Sequence, residues 1–227
     1  MDSCRLVILI SGSGNNLQAI IDACMTGQIK GKIVAVISNR PDAYGLERAR
    51  RAGIPHHILD HKTFQDRESF DQALIELIDS YTPNLLLLAG FMRILTNEFT
   101  RCYAGKMLNI HPSRLPDYRG LQTHQRVLEA GEKLHGASIH FVTDELDGGP
   151  VVLQSKVPVR MDHTEEILAA EILATELIIY PLAVQWYCES RLQMDGVTVL
   201  FNGRILSSPI QLDEIEAVLS SADENSG

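Results

Sequence analysis

Residues 108–113, Leu-Asn-Ile-His-Pro-Ser, bring an amide and an imidazole side chain close together. The apolar residues around them predict the end of a buried strand. Side chains alternate between the two faces of a strand, so Asn109 and His111 are expected to point the same way. Pro112 has no N–H to give to a sheet ladder, so we expect the strand to end there.

An amide and an imidazole at the end of a strand can carry out acid–base and oxyanion chemistry. Ligands of open α/β sheets bind at the carboxyl ends of the strands. The Asn109 amide is a hydrogen-bond donor, and the His111 imidazole can donate, accept or carry a charge near neutral pH. Together they can stabilise an oxyanion and move a proton. The alternative is structural: two side chains that bond to neighbouring backbone.

A glycine-rich turn near the N-terminus predicts a phosphate site. Residues 6–10 are an apolar run typical of a strand buried on both faces, and residues 11–16, Ser-Gly-Ser-Gly-Asn-Asn, lead into a helical pattern. In a strand followed by a glycine-rich turn and a helix, backbone N–H groups point toward any anion bound at the N-terminus of the helix. A dinucleotide motif needs a third glycine where Leu17 stands, so a single phosphate monoester fits better. The alternative is an ordinary connection between strand and helix.

The remaining pattern predicts the sheet that positions these residues. Strands are predicted at 33–37, 54–58 and 85–88 with helices between them, and 137–142 and 151–159 predict a hairpin. We therefore expect an α/β fold of Rossmann-like type. It would have an open, mostly parallel sheet, helices on both faces and an antiparallel portion near the C-terminal half.

The composition excludes several classes of protein. Of the 227 residues 45% are hydrophobic, enough for a sizeable core, and the net charge of -9 argues against a nucleic-acid partner. The four cysteines are scattered, and no ligand cluster accompanies His56, His57 and His61, so no metal is expected. We see no signal-peptide layout and expect no membrane-spanning segment. The simplest explanation of the scattered cysteines is a cytoplasmic protein with reduced, mostly buried thiols.

Four motifs occur in the order found in one family. They are the turn at 11–16, the segment 89–95 (Ala-Gly-Phe-Met-Arg-Ile-Leu), the segment 109–113 and the acidic loop 144–150 (Asp-Glu-Leu-Asp-Gly-Gly-Pro). Along nearly its whole length the chain resembles the folate-dependent phosphoribosylglycinamide formyltransferases of purine synthesis. All transferases of this fold that use 10-formyltetrahydrofolate share the Asn-x-His-Pro-Ser segment and the Asp-Gly-Gly loop. The glycine-rich turn selects the glycinamide enzymes.

The resemblance implies a reaction and a set of site residues. The formyl group would pass from the co-substrate 10-formyltetrahydrofolate to the amine of glycinamide ribonucleotide. The catalytic residues would be Asn109, His111 and Asp147, without a metal. Substrate-binding residues implied are Gly14, Asn15, Asn16, Ser113 and Glu176; folate-binding residues implied are Arg67, Met92, Arg93, Ile94, Leu95, Asn109, Thr143, Asp144, Glu145, Leu146 and Asp147.

The resemblance also implies how the chain is organised. We expect a single formyltransferase domain at 1–206, with a phosphate-binding half at 1–105 and a catalytic and folate-binding half at 106–206. Residues 207–227 would form a partly frayed tail. Asn15 stands where a small residue is expected and Arg114 where an apolar one is expected. The assembly would be a monomer or a weak homodimer.

The implied mechanism is direct transfer. The substrate amine attacks the formyl carbon, and the tetrahedral intermediate carries an oxyanion to which Asn109 and protonated His111 can donate. One such donor is typically worth ~3 kcal/mol. Asp147 would favour the protonated His111 and help a water carry the proton from the attacking to the leaving nitrogen. The alternative for Asp147 is a turn residue before Gly148.

Three other functions agree less well with the sequence. Methionyl-tRNA formyltransferases carry an additional C-terminal domain and a basic surface, whereas this chain is acidic and is expected to end too early. Formyltetrahydrofolate deformylases have an extra N-terminal domain, whereas the first predicted strand begins within a few residues of Met1. A non-catalytic nucleotide-binding module would leave Asn109, His111 and Asp147 unexplained.

Overall fold

The fold consists of short strands and six α-helices, described for residues 3–215 by a computed structural model. The strands are β1 (Cys4–Ile10), β2 (Gly31–Ser38), β3 (His56–Ile58), β4 (Leu85–Leu88), β5 (Met107–His111), β6 (Leu134–His135), β7 (Ser138–Phe141), β8 (Val151–Gln154), β9 (Val157–Pro158), β10 (Leu192–Asp195), β11 (Thr198–Phe201), β12 (Arg204–Ile205) and β13 (Ile210–Gln211). The helices are α1 (Asn15–Met25), α2 (Tyr44–Arg51), α3 (Arg67–Asp79), α4 (Asn97–Cys102), α5 (Thr123–Glu129) and α6 (Glu165–Cys188).

Eight of these strands form one mixed sheet in the order β13-β8-β7-β5-β4-β1-β2-β3. The part from β3 to β5 is parallel throughout. Strand β7 pairs antiparallel with both β5 and β8, and β13 runs parallel to β8. The predicted mostly parallel sheet with an antiparallel portion toward the C-terminal half is therefore confirmed.

The apolar run of β1 is buried on both faces because helices cover both sides of the sheet. Leu6 and Ile8 belong to the core cluster that includes side chains of α1 and α6. Val7 and Leu9 belong to the cluster on the other face, which includes side chains of α3 and α4. Each of the four residues is fully shielded from solvent, as expected for a central strand of a parallel sheet.

Two regions differ from the predicted pattern. The strand expected at 151–159 is divided, because β8 belongs to the main sheet and β9 pairs with β6 in a separate ribbon. Residues 210–215, expected in the tail, instead extend the fold: β13 is the edge strand beside β8, and Ile210 and Ile215 are buried. Residues 216–227 of the expected tail lie outside the described residues.

Helix α6 anchors the site to the sheet. By length and composition alone this helix is long and apolar enough to cross a membrane. This differs from our expectation that no segment of the chain would be. Residues along the helix, among them Ile172, Ile179 and Trp186, are nevertheless buried in the protein core. The hydroxyl of Tyr180 lies 3.0 Å from the carbonyl oxygens of both Leu88 and Leu108, where β4 and β5 run side by side.

Candidate active site

Asn109 is held by a histidine on the neighbouring strand. Strands β5 and β7 pair antiparallel with Asn109 opposite His140, and the Asn109 Nδ2 atom lies 3.1 Å from His140 Nε2. Directly opposed side chains of an antiparallel pair are close enough to interact. The register of these two strands therefore fixes the orientation of the Asn109 amide.

The buried imidazole of His140 is suited to accept this hydrogen bond. Burial lowers the pKa of His140 to about 4, so the ring is neutral near neutral pH. Its Nδ1 lies 2.9 Å from the Phe141 carbonyl oxygen, which can only accept, so Nδ1 carries the proton and Nε2 is the acceptor. Asn109 thus donates one amide proton to His140 and keeps the second for the cavity beside it.

His111 and Asp147 come together although 36 positions separate them in the sequence. The Nδ1 atom of His111 lies 3.4 Å from Asp147 Oδ2, and both side chains are more than nine-tenths buried. The other ring nitrogen of His111 donates to the Tyr118 carbonyl oxygen at 3.0 Å. Because both nitrogens have protein partners, direct donation from His111 to an oxyanion requires one of these contacts to yield.

The acidic loop 144–150 packs closely against β7, and this packing fixes the position of Asp147. A Cβ atom at Gly149 would lie 1.8 Å from the Phe141 carbonyl oxygen, so no other residue fits there. Asp147 itself has a φ of 47°, a left-handed conformation that Asp and Asn adopt more readily than most residues. The backbone N–H of Gly120 donates to Asp147 Oδ2 at 2.9 Å, which holds the carboxylate toward His111.

The loop after β5 closes over the acidic loop. Ser113 is fully buried and its hydroxyl donates to the Asp117 carbonyl oxygen at 2.6 Å, so in this structure it fixes the loop backbone. Arg119 forms an ion pair with Glu145. This pair and the bond from Gly120 to Asp147 join the loop that follows His111 to the loop that carries Asp147.

The glycine-rich turn lies between β1 and α1, as expected. Gly14 precedes the helix with a φ of 70°, which glycine adopts without steric cost. Asn16 donates through Nδ2 to Glu176 Oε2 of α6 at 2.8 Å, and both residues are at least nine-tenths buried. Burial raises the pKa of Glu176, although the bond from Asn16 opposes this. Within residues 3–215, the buried Asn16 Oδ1 has no hydrogen-bond partner.

A cavity of about 480 Å³ opens beside Asn109 at the carboxyl ends of β4 and β5. It collects nearly all of the residues expected to bind folate. They are Arg67, Arg93, Ile94, Leu95, Asn109, Thr143, Asp144, Glu145, Leu146 and Asp147, together with His140. Met92 is the exception: its side chain is largely exposed, and the residue does not line the cavity.

Ser11 connects the glycine-rich turn to the loop that follows β4. Its backbone N–H donates to the Gly90 carbonyl oxygen at 3.1 Å. Its hydroxyl accepts a hydrogen bond from the Met92 N–H at 2.8 Å and donates to Asn39 Oδ1 at 2.5 Å. The backbone of Met92 is therefore fixed by the turn, although its exposed side chain does not line the cavity.

Three residues of the site were missed in the sequence, namely His140, Tyr118 and Gly120. His140 carried a detectable signal, because it lies on a predicted strand with polar residues on one face. Its place opposite Asn109 depends on strand pairing, which local spacing does not specify. Tyr118 and Gly120 act through backbone atoms, so their side-chain types carry little signal.

In the part of the chain that the structure describes, no group of His, Cys, Asp and Glu is arranged to hold a metal ion.

Comparison with known proteins identifies what this arrangement resembles. The sequence profile of the family described as formyl transferase matches residues 4–184. The chain is 54% identical over 202 residues to the phosphoribosylglycinamide formyltransferase of Escherichia coli (strain K12), covering 89% of this chain and 95% of that one. It is 46% identical to the enzyme of that name from Haemophilus influenzae, with the same coverage.

A solved structure has the same fold. The phosphoribosylglycinamide formyltransferase of Coxiella burnetii superposes with a TM-score of 0.88 at 47% sequence identity. The match covers 92% of this chain and 99% of that one. The sequence identity, the shared fold and the near-complete coverage of both chains therefore point to the same group of proteins.

Proposed function

The chain belongs to the formyl transferase family, and from this premise we propose that it transfers a formyl group from 10-formyltetrahydrofolate to the amine of glycinamide ribonucleotide. The products are formylglycinamide ribonucleotide and tetrahydrofolate, in de novo purine synthesis. The observation that carries the proposal is that Asn109 and Asp147 line one cavity and that His111 lies against Asp147. The Nδ1 of His111 lies 3.4 Å from the Asp147 carboxylate.

The reaction is an attack of the substrate amine on the formyl carbon. A carbon–nitrogen bond forms, and the carbonyl oxygen takes up negative charge. The second amide proton of Asn109, whose first proton is held by His140, is placed to stabilise that charge. When the tetrahedral intermediate collapses, the bond to N10 of the folate breaks and N10 gains a proton.

His111 and Asp147 manage charge and protons in this scheme. The Asp147 carboxylate lies 3.4 Å from Nδ1 of His111 and the Tyr118 carbonyl oxygen lies 3.0 Å from its Nε2, so these two acceptors hold the imidazole in one orientation beside Asp147. Asp147 also accepts the proton that the attacking amine loses, through a water, and returns it to the leaving nitrogen. Neither a metal nor a covalent enzyme intermediate is required.

The two substrates occupy different ends of the site. The phosphate of the ribonucleotide binds at Gly14, Asn15 and Asn16, with Glu176 nearer the ribose, and Ser113 supports the loop beside it. The pterin of the folate enters the cavity beside Asn109, where Leu88, Leu95 and Val142 supply apolar walls for a flat ring. Folate-binding residues are Arg67, Arg93, Ile94, Leu95, Asn109 and residues 143–147, with Met92 contributing backbone only.

We further propose one formyltransferase domain whose folded part extends to at least Ile215, since β13 completes the main sheet. The protein acts in the cytoplasm as a monomer or weak homodimer. It binds neither nucleic acid nor membrane, in keeping with its net charge of -9 and the packing of α6 in the core.

An absorbance assay for tetrahydrofolate formation tests this function. The protein is supplied with 10-formyltetrahydrofolate and one of three acceptors: glycinamide ribonucleotide, water alone, or charged initiator tRNA. Rapid product formation is expected only with glycinamide ribonucleotide. Equal rates with water would identify a hydrolase, and a preference for tRNA would identify a different acceptor.

Removing the phosphate from the substrate is expected to weaken binding by roughly 10- to 150-fold, since a hydrogen bond to a charged group is worth about 1.5–3 kcal/mol. The dissociation constants of glycinamide ribonucleotide and glycinamide riboside would be compared by calorimetry. The KM for the folate serves as the internal control, because it should stay the same. Equal affinity for the two compounds would reject the phosphate site at Gly14.

A further inference from the structure

Arg48 of α2 extends to the glycine-rich turn and bonds to two acceptors of the turn and to one on α1. Its Nε donates to the Ser13 carbonyl oxygen at 2.9 Å, and its Nη2 donates to Asn15 Oδ1 at 2.9 Å. Its Nη1 donates to Gln18 Oε1, one turn further along α1, at 3.3 Å. A planar guanidinium can hold several acceptors in a fixed arrangement, which a lysine ammonium does not.

The charge of Arg48 is not neutralised as that of its neighbours is. Arg50 and Arg51, on the same helix, both form ion pairs with Glu47 at 2.7 Å. Among the described residues, Arg48 forms no ion pair, and all three of its acceptors are uncharged. A half-buried positive charge thus stands beside a turn of a protein whose net charge is -9.

Close backbone packing places Arg48 at this position. The N–H of Gly45 in the first turn of α2 donates to the Gly12 carbonyl oxygen at 3.0 Å. A Cβ atom at Gly14 would lie 2.7 Å from the Cα of Gly45, so the helix and the turn touch without intervening side chains. Arg48 follows Gly45 by three positions and therefore lies over the same turn.

The bond to Arg48 determines which end of the Asn15 amide faces outward. An amide has one accepting oxygen and one donating nitrogen. Since the oxygen of Asn15 is bound to the guanidinium, the Nδ2 group is turned away from Arg48 as a donor. Donors are the groups that a phosphate dianion requires at a helix N-terminus.

We propose that Arg48 is a positioning residue for the phosphate of the nucleotide substrate. It holds residues 13–15 in the shape that receives the phosphate, orients the Asn15 amide as a donor, and supplies positive charge to the turn. This rests on the proposed function for the identity of the nucleotide. The phosphate monoester dianion itself is the chemistry that the turn recognises.

The test compares Arg48→Gln and Arg48→Lys with Arg51→Gln, a control that removes an exposed arginine from the same helix. Dissociation constants are measured for glycinamide ribonucleotide, glycinamide riboside and ribose 5-phosphate. Arg48→Gln is expected to weaken both phosphate-bearing ligands by roughly 10- to 100-fold, with the riboside and the folate KM unchanged. Arg48→Lys should recover part of the loss, because it keeps the charge without the fork, and Arg51→Gln should bind like the wild type.

A merely structural role would give a different pattern. If Arg48 only held α2 against α1, Arg48→Gln would weaken the riboside as much as the ribonucleotide and lower the melting temperature in parallel. That result, or unchanged affinity for ribose 5-phosphate, overturns the proposal. Asn15→Ala supplies a second measurement: if Arg48 acts partly through Asn15, the two substitutions combined should cost less than the product of their separate effects.

The proposed reaction and the role of Arg48 can fail separately. Binding of ribose 5-phosphate is measured without turnover, so a wild-type protein that transfers no formyl group can still show the Arg48 effect. Conversely, an active enzyme whose phosphate affinity ignores Arg48 keeps its function and loses this inference. If the wild type binds neither phosphate compound, the inference is overturned as well.

Discussion

Replacing Asp147 by Asn is expected to lower kcat by roughly 10²- to 10⁴-fold while leaving both KM values close to those of the wild type. The amide keeps the size of the carboxylate and can still accept from the Gly120 N–H. Asn also adopts the left-handed backbone of this position, where φ is 47°. What is lost is the negative charge 3.4 Å from His111 and the ability to take up a proton.

Steady-state kinetics with each substrate varied in turn would measure this effect. Asp162→Asn is a matched control, because Asp162 is an exposed carboxylate before α6 whose one ion pair with residues 3–215 is a 3.9 Å contact to Arg160. A kcat for Asp147→Asn within a few-fold of the wild type would remove Asp147 from the proton transfer. Equal rises in both KM values without a change in kcat would assign it to binding instead.

Asn109→Ala is expected to lower kcat by roughly 10²- to 10³-fold, the usual effect of removing one oxyanion donor. The alanine has no donor for the developing negative charge. The buried His140 also loses the hydrogen bond to its Nε2, which remains unprotonated because burial lowers the pKa of His140 to about 4. We expect the KM for glycinamide ribonucleotide to change little, since its phosphate binds at a different turn.

Ile110→Val is the control for strand packing at this position. Ile110 belongs to the same strand but is buried in the core cluster shared with α6, on the opposite face from Asn109. It should lose roughly 0.5–1.5 kcal/mol of unfolding free energy with normal kcat. If Asn109→Ala has a near-normal kcat in a folded protein, the oxyanion is stabilised by other groups.

Single strands and turns of this fold could be predicted from local sequence patterns. The alternation of side chains placed Asn109 and His111 on one face, and the apolar run at 85–88 matched β4 at both ends. The glycines at 12 and 14 marked the turn into α1. These features depend on residues a few positions apart, so they can be read from spacing.

Contacts between segments that are distant in the sequence could not be predicted from local patterns. His140 meets Asn109 because β7 pairs antiparallel with β5, on the side opposite β4, in a register that places the two residues opposite each other. The strand expected at 151–159 divides because its second half pairs with β6, outside the main sheet. The meeting of His111 with Asp147 was implied by the family resemblance and not by spacing. It depends on how Gly149 packs against Phe141, which is a tertiary contact.

Ser11 makes the two ends of the site mechanically dependent on each other. Its backbone N–H is bound to Gly90 and its hydroxyl to the Met92 N–H, so a movement of Ser11 is transmitted to the loop after β4. Thermodynamic linkage makes such coupling reciprocal. If one bound substrate changes the affinity for the other by some factor, the second changes the affinity for the first by the same factor. The connection between the turn at residues 11–16 and the loop after β4 thus includes a hydroxyl group that belongs neither to the proposed phosphate contacts nor to the lining of the cavity.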